Sequence, residues 1–272
     1  MPELPEVESI RRELLDIEGK RIIRANASDA LLFPDGSLEL YEKSLEHSVV
    51  SRVLRRGKYL VLKFGQEYLI YSLRMTGKII LVKESPLETS YEKLRLQIED
   101  ETRDLIFGSV RRFSRFYWHE GPLMEQENLA RLGPDPLNGK FTWERFQQQF
   151  QNRTAPIKTL LLDQGFVAGV GNIYANEILF LAGIDPERPA DELEQDEKRD
   201  LFEHLPELLE NAADAGGSSF TNFIGASGEP GTFHRQHRVY DREGEPCPNC
   251  EAPVEKIVLS NRSTYFCSQC QK

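Results

Sequence analysis

Apolar residues recur at helical spacing near the start of the chain. Val7, Ile10, Leu14 and Ile17 share one face of residues 3–17, with charges between them, and predict a leading helix that Gly19 ends. From Arg21 to about Trp118 the period changes. The runs YLVLKF, YLIYSLRM, KIILV, LRLQIE, DLIF and RFYW are short, partly alternating and rich in β-branched and aromatic residues. They predict a set of strands, closed as a sandwich or a barrel. Residues 121–139, rich in Gly, Pro and Asn, read as a linker. Helical signals follow: Thr142 caps TWERFQQQF, Pro156 suits the first turn of PIKTLLLDQ, NIYANEILFLAG resumes after GFVAGVGN, and a further helix spans about 196–213. Residues 216–238 form a Gly/Ser-rich stretch too long for an ordinary connection, the kind that usually carries function.

The chain has 272 residues, 39% of them hydrophobic, enough for two cores rather than one. No apolar run approaches the roughly 18 residues of a membrane span. The N-terminus is charged from Glu3 onward and does not read as a secretory signal. The expected location is the cytoplasm, and the expected state is a monomer. The net charge of -10 taken alone argues against nucleic acid. The distribution of that charge argues the other way. Residues 183–215 hold twelve acidic and three basic side chains, a net of -9, so nearly the whole excess sits in one stretch. Elsewhere basic clusters stand out: Arg52, Arg55, Arg56, Lys58 and Lys63; Arg111, Arg112 and Arg115; Arg235, Arg238 and Arg242 with two histidines. Local field, not total charge, steers a phosphate backbone.

Cys247, Cys250, Cys267 and Cys270 are spaced C-x2-C-x16-C-x2-C, which suits one tetrahedral zinc. Arg262 lies between the two pairs, near a hairpin tip, where a metal-stiffened turn makes an arginine a phosphate or base contact. Removal of Met1 would leave Pro2 with a secondary amine, a nucleophile toward carbonyl-like carbons. Glu3 and Glu6 share a face at a helix start; they are either caps favoured by the dipole or an acid/base pair beside that amine. GVGN ahead of IYANEIL offers the amides of Gly171 and Asn172 to a phosphate, and Lys158 on the preceding helix stands ready for the same backbone. Met75 in LRMTGK and Phe113 in RRF end strand-like runs and are either core residues or wedges that fill the gap left by an everted nucleotide.

MPELPEVE, RRGKYL, LRMTGK, RRF, GVGNIYANEIL, GGSS…GEPG…VYDREGEPC and STYFCSQCQK occur in order along the whole chain. Together they resemble the formamidopyrimidine-DNA glycosylase family, the Fpg/MutM group; PELPE favours it over the related endonuclease VIII branch. The resemblance implies an α+β fold: an N-terminal β-sandwich with a leading helix (1–120), a linker (121–141), a helix–two-turn–helix DNA-binding domain with a lesion-capping loop (142–240), and a C-terminal zinc finger (241–272). It implies a bifunctional glycosylase and abasic-site lyase acting on damaged double-stranded DNA, with 8-oxoguanine and ring-opened purines as substrates. Pro2 would attack C1′ of the damaged nucleotide, Glu3 would assist ring opening and proton transfer, and Glu6 would support the site. Lys58, Arg262 and Asn172 would hold phosphates; Met75, Arg111 and Phe113 would intercalate, with Arg111 facing the orphaned base. Lys158 and Glu177 match positions on the helix pair near the site, and the loop around 217–238 would cap the flipped base. One structural zinc and no organic cofactor are implied.

The pattern is broken in places. Ser109-Val110 stand where the family has Asp-Pro, Ser114 where it has Gly, and Ser72 where it has a histidine. SYEKL (90–94) replaces a histidine-bearing stretch, and SSFTNF lacks the usual basic residue. Two alternatives therefore stand beside the main reading: a damage-binding protein without glycosylase activity, and the same chemistry on oxidised pyrimidines.

Overall fold

The alternating runs fold as two antiparallel four-stranded sheets that share one apolar core. The structure is a computed structural model and describes residues 1–34, 36–83, 91–219 and 223–272. One sheet orders β1 (Ile22–Ala27), β6 (Glu92–Ile98), β7 (Asp104–Ser109) and β5 (Gly77–Val82). The other orders β2 (Arg52–Arg56), β3 (Tyr59–Phe64), β4 (Glu67–Ser72) and β8 (Arg115–Glu120). Among the described residues no strand pairing joins the two sheets, so the sandwich holds and the barrel does not. Period-2 alternation explains the core: Leu60, Leu62 and Phe64 of β3 point to the same interior as Ile79 and Leu81 of β5 and Leu94, Leu96 and Ile98 of β6.

The leading helix is shorter than its pattern. α1 runs Leu4–Glu13, and a 3₁₀ turn, Leu15–Ile17, follows it. The Leu14 N–H is shared between Ile10 O and Arg11 O, which tightens the last turn, and Gly19 then takes a left-handed φ of 83°. Val7, Ile10, Leu14 and Ile17 are all fully buried in the sandwich core, at about 1.5–3 kcal/mol each. A second helix, α2 (Leu38–Leu45), interrupts the region expected to be all strand. Ser37 caps it by accepting the Leu40 N–H, and Tyr41 and Leu45 join the core. Glu42 of α2 and its C-cap Glu46 accept the N–H groups of Ala27 and Ala25, which occupies donors on the outer edge of β1.

The chain divides into two units, 1–130 with 215–232, and 131–214 with 233–272. α3 (Glu127–Ala130), inside the expected linker, ends the first pass of unit one. Residues 215–232, within the segment expected to be helical domain, pack with unit one: Ala226 is buried in the sandwich core and its carbonyl accepts the Leu81 N–H. Unit two holds α4 (Trp143–Gln148), α5 (Ile157–Leu162), α6 (Asn172–Leu181), α7 (Gln195–Asp214) and the hairpin β9 (Glu255–Leu259) and β10 (Arg262–Phe266). Rings of Phe141, Phe146, Phe150, Phe166 and Phe202 pack around α4 and α7. α7 buries Leu201, Leu205, Leu208 and Leu209. α6 is buried from Tyr174 to Phe180, which includes the polar Asn176 and Glu177; such groups must find partners inside. Among the described residues no helix is long and apolar enough to cross a membrane.

Candidate functional site

Pro2 is buried immediately ahead of α1, and Pro5 stands in the first turn, where a missing N–H costs little. Glu3 is the N-cap. Its side chain accepts the Glu6 N–H, and its own N–H donates to Glu6 Oε2 at 2.7 Å, a reciprocal capping box. The other Glu6 oxygen accepts the Ser218 N–H at 2.7 Å. Both glutamates are buried. The expected acid/base pair is therefore unequal: Glu6 holds a backbone amide with each oxygen and acts as a clamp. Gly217 makes the clamp possible, since its φ is 77° and a Cβ there would press into the Glu6 carboxylate.

Glu8, which no sequence motif singles out, organises the next element. Its carboxylate accepts from Arg11 at 2.7 Å, Arg12 at 2.9 Å and Arg55 at 3.0 Å. Burial works against the charge, but the Arg11 hydrogen bonds, the Arg55 charge and Arg12 outweigh it and hold the Glu8 pKa at about 2. Arg55 also donates to Gly57 O at 3.1 Å. The β2–β3 turn that carries half-buried Lys58 is thereby fastened to the helix that carries Glu3. The sequence places Arg55 in a basic cluster and Glu8 at the end of MPELPEVE, but nothing in it pairs the two.

Met75 sits on the turn between β4 and β5, Arg111 and Phe113 on the connection between β7 and β8. The Arg111 N–H donates to Thr76 Oγ1 at 3.0 Å and joins the two turns. The Arg111 guanidinium lies 5.0 Å from the Phe113 ring centre. Met75 is 52% exposed and Phe113 47%, so neither is a core residue. Ser114, a departure from the family pattern, fits without loss: it is buried and its hydroxyl donates to Leu73 O at 2.9 Å. Of the SYEKL departure, Ser90 lies outside the described residues; Lys93 pairs with Asp29 at 3.4 Å, and Asp29 pairs with Arg112 at 2.6 Å. Buried Ser72 lies at the end of β4, beside the Met75 turn.

In unit two the expected backbone contacts separate into two kinds. Lys158 is fully buried; its Nζ donates to Ser263 O at 3.0 Å and Thr264 Oγ1 at 2.6 Å. Glu177, also fully buried, accepts the N–H groups of Arg238, Val239 and Tyr240 at 2.9–3.0 Å. Burial raises its pKa, and those three N–H groups oppose the rise. Contrary to expectation, neither side chain reaches the surface; both hold other segments in place. Asn172 has two aspects: Nδ2 donates to Ser263 O at 3.0 Å, while its buried Oδ1 has no hydrogen-bond partner among the described residues. Asn176, equally unmarked in the sequence, accepts the Tyr265 N–H at 2.7 Å. Lys158, Asn172 and Asn176 thus dock β10 on α5 and α6. The hairpin turns through Ser260 and Asn261, both left-handed at φ 51° and 58°, as a two-residue turn requires. Arg262 follows, exposed.

The four cysteine sulfurs lie within 4.8 Å of one another, with Cys247–Cys270 at 3.8 Å and Cys250–Cys267 at 3.5 Å. Tetrahedral zinc with Zn–S bonds of about 2.3 Å sets its sulfurs roughly 3.8 Å apart, so the cluster fits that ion. Four thiolates would complete its coordination and leave it a structural role.

A sandwich with a clamped N-terminal helix, a buried helix pair and a thiolate-clipped hairpin defines a helix–two-turn–helix protein with a zinc finger. Comparison with known proteins gives the same architecture. Residues 1–116 match the formamidopyrimidine-DNA glycosylase N-terminal domain, 132–223 its H2TH domain, and 244–272 the zinc finger found in FPG and IleRS. The chain is 39% identical to formamidopyrimidine-DNA glycosylase of Hydrogenovibrio crunogenus, covering 100% of this chain and 97% of that one. It is 36% identical to the Hahella chejuensis enzyme, with full coverage of both. Among solved structures it resembles Lactococcus lactis Fpg (MutM) bound to oxidized-pyrimidine DNA, with TM-score 0.89, 35% identity and both chains fully covered. The same protein bound to abasic-site DNA gives TM-score 0.89, 35% identity and 99% coverage of each chain. The chain belongs to the formamidopyrimidine-DNA glycosylase family and is a DNA glycosylase of base excision repair.

Proposed function

We propose that this glycosylase acts on damaged double-stranded DNA, excises 8-oxoguanine and formamidopyrimidines through a Pro2 Schiff base, and then cuts the strand as an abasic-site lyase. The capping box of α1 carries this reading: it buries Pro2 beside Glu3 and uses Glu6 to fix both the Glu3 backbone and residue 218. With Met1 removed, the Pro2 amine attacks C1′, the bond from C1′ to the base breaks, and the sugar ring opens as Glu3 moves the proton. The iminium acidifies the C2′ proton, so β-elimination breaks the bond to the 3′ phosphate and δ-elimination then releases the 5′ phosphate. Lys58 and Arg262 are the exposed or half-exposed cations offered to phosphates, with Asn172 beside Arg262's strand. Met75, Arg111 and Phe113 fill the gap left by the everted base. Lys158 and Glu177 serve by holding the zinc hairpin and residues 238–240. Zinc on Cys247, Cys250, Cys267 and Cys270 would stiffen the module that presents Arg262. The loop proposed to cap the flipped base spans 217–238, of which 220–222 lie outside the described residues.

A second substrate class has its own support: the Lactococcus lactis relative was solved with DNA containing an oxidized pyrimidine as well as with Fapy-dG DNA. The test is a duplex with one 8-oxoguanine opposite cytosine, incubated with Met1-free protein. Release of the base and a one-nucleotide gap bounded by phosphates is the expected result. Release from an oxidised-pyrimidine duplex alone would move the substrate to the second class, and base release without strand scission would remove the lyase step.

A further inference from the structure

Residues 215–232 belong to unit one, and the two ends of the segment meet at a closed neck. Thr232 donates its N–H to Ala215 O at 2.8 Å, and Gly231 lies so close to the Gly216 and Gly217 carbonyls that any Cβ would clash. Ser219 braces the interior: its hydroxyl donates to Phe223 O and accepts the Gly231 N–H, both at 2.8 Å. Two carboxylates of α1, about two helical turns apart, hold the segment from the same helix. Glu6 takes the Ser218 N–H. Glu13 Oε2 takes the Ser227 N–H at 2.5 Å, and its Oε1 accepts the Ser9 hydroxyl at 3.3 Å. Glu13 is the last residue of α1, where the helix dipole disfavours a negative charge and where Arg11 and Arg12 are the electrostatically suited residues. Its charge gains nothing from the dipole; one carboxylate oxygen accepts the Ser9 hydroxyl within the helix and the other the Ser227 N–H of the loop. Gly225 matches it, because a Cβ there would strike the Glu13 carboxylate although its backbone is not left-handed.

We infer that Glu13 is a positioning residue for lesion recognition: it pins the 225–228 foot of the capping loop to the helix that Pro2 and Glu3 lead into. The inference rests on the glycosylase and capping roles proposed above. A cap matters while a base is present and is irrelevant at an abasic site, so the two activities separate this role from a general loss of fold.

The experiment compares Glu13→Ala, Glu13→Gln and Gly225→Ala with the parent. Three readings are taken: kcat/KM for 8-oxoguanine excision, single-turnover cleavage of a preformed abasic duplex, and amide hydrogen exchange over 223–228 in the DNA-free protein. Loss of a charged hydrogen bond predicts a roughly tenfold fall in excision for Glu13→Ala and Gly225→Ala, with abasic cleavage within about twofold of parent. Glu13→Gln keeps an acceptor oxygen and restores most of the excision. The Ser227 amide exchanges faster in both damaging variants. An equal fall in both activities, an unchanged excision ratio, or unchanged exchange at Ser227 overturns the inference. A parent that excises nothing defeats the function proposed above instead, and the exchange comparison still decides whether Glu13 anchors the foot.

Discussion

The two units treat buried charge differently. In unit one, Glu6 and Glu8 tie backbone and arginines around α1, while the residues proposed to enter DNA, Met75, Arg111 and Phe113, stand on exposed turns. In unit two, the conspicuous candidates Lys158 and Glu177 are themselves buried, and Arg262 alone of the three reaches out. A fully buried ion is costly unless it is paired or hydrogen-bonded, and Lys158 and Glu177 each hold partners in other segments. On the proposed reading the candidate site residues comprise contacts and the supports of contacts, and burial separates the two.

Metal removal presses hardest on that contrast. Structural zinc contributes on the order of 10 kcal/mol to small thiolate modules. Chelation is expected to unfold the hairpin, and with it the Arg262 presentation, while unit one keeps its circular dichroism signature; a hairpin that stays protected from hydrogen exchange after metal loss would contradict it. Next comes Glu177→Ala, which strands three buried N–H groups and is expected to cost roughly 3 kcal/mol or more, read as a lower denaturant midpoint. Because burial raises the Glu177 pKa, its ionisation opposes folding: that contribution to stability is present below the unfolded pKa and is lost as pH rises through the folded one. Glu177→Gln should remove this pH dependence.

Lys158→Met and Arg262→Ala sharpen the division between support and contact. Both are expected to weaken DNA binding, by about tenfold, but only Arg262→Ala should flatten the plot of log affinity against log salt, by about 0.9 for one phosphate contact. Equal slopes in the two variants would erase the distinction. The acid limb of stability belongs to Glu8. Its pKa falls from 4.5 to about 2 in the folded protein, so the stability it contributes is present above pH 4.5 and is lost as pH falls toward 2. Glu8→Gln should flatten that acid limb in a pH series of thermal melts.

Much of this is legible in the sequence. The strands from Tyr59 to Trp118, the α6 start at Asn172 and the four-cysteine cluster follow from period, turn chemistry and spacing. α2 is hidden, because Leu38, Tyr41 and Leu45 are too few to outweigh the surrounding strand signals, although Ser37 ahead of Leu38 is a usable cap. The pattern overstates the length of α1 because 3₁₀ and α turns keep nearly the same apolar face. Within the site, Pro2 and Glu3 stand out by position alone. Glu8, Glu13 and Asn176 do not, since a polar side chain that grips a distant partner is written in sequence like one that faces water. The association of 215–232 with unit one is equally hidden: it depends on Ala226 entering a core formed more than a hundred residues earlier.

The chemistry assigned to Pro2 is open to direct capture. Met1-free protein is incubated with borohydride and two duplexes, one carrying 8-oxoguanine opposite cytosine and one carrying an abasic site. The account predicts a covalent adduct on both, mapped by peptide mass to Pro2, and none from protein that retains Met1. An adduct mapped to a lysine, or no adduct on either duplex, would contradict it.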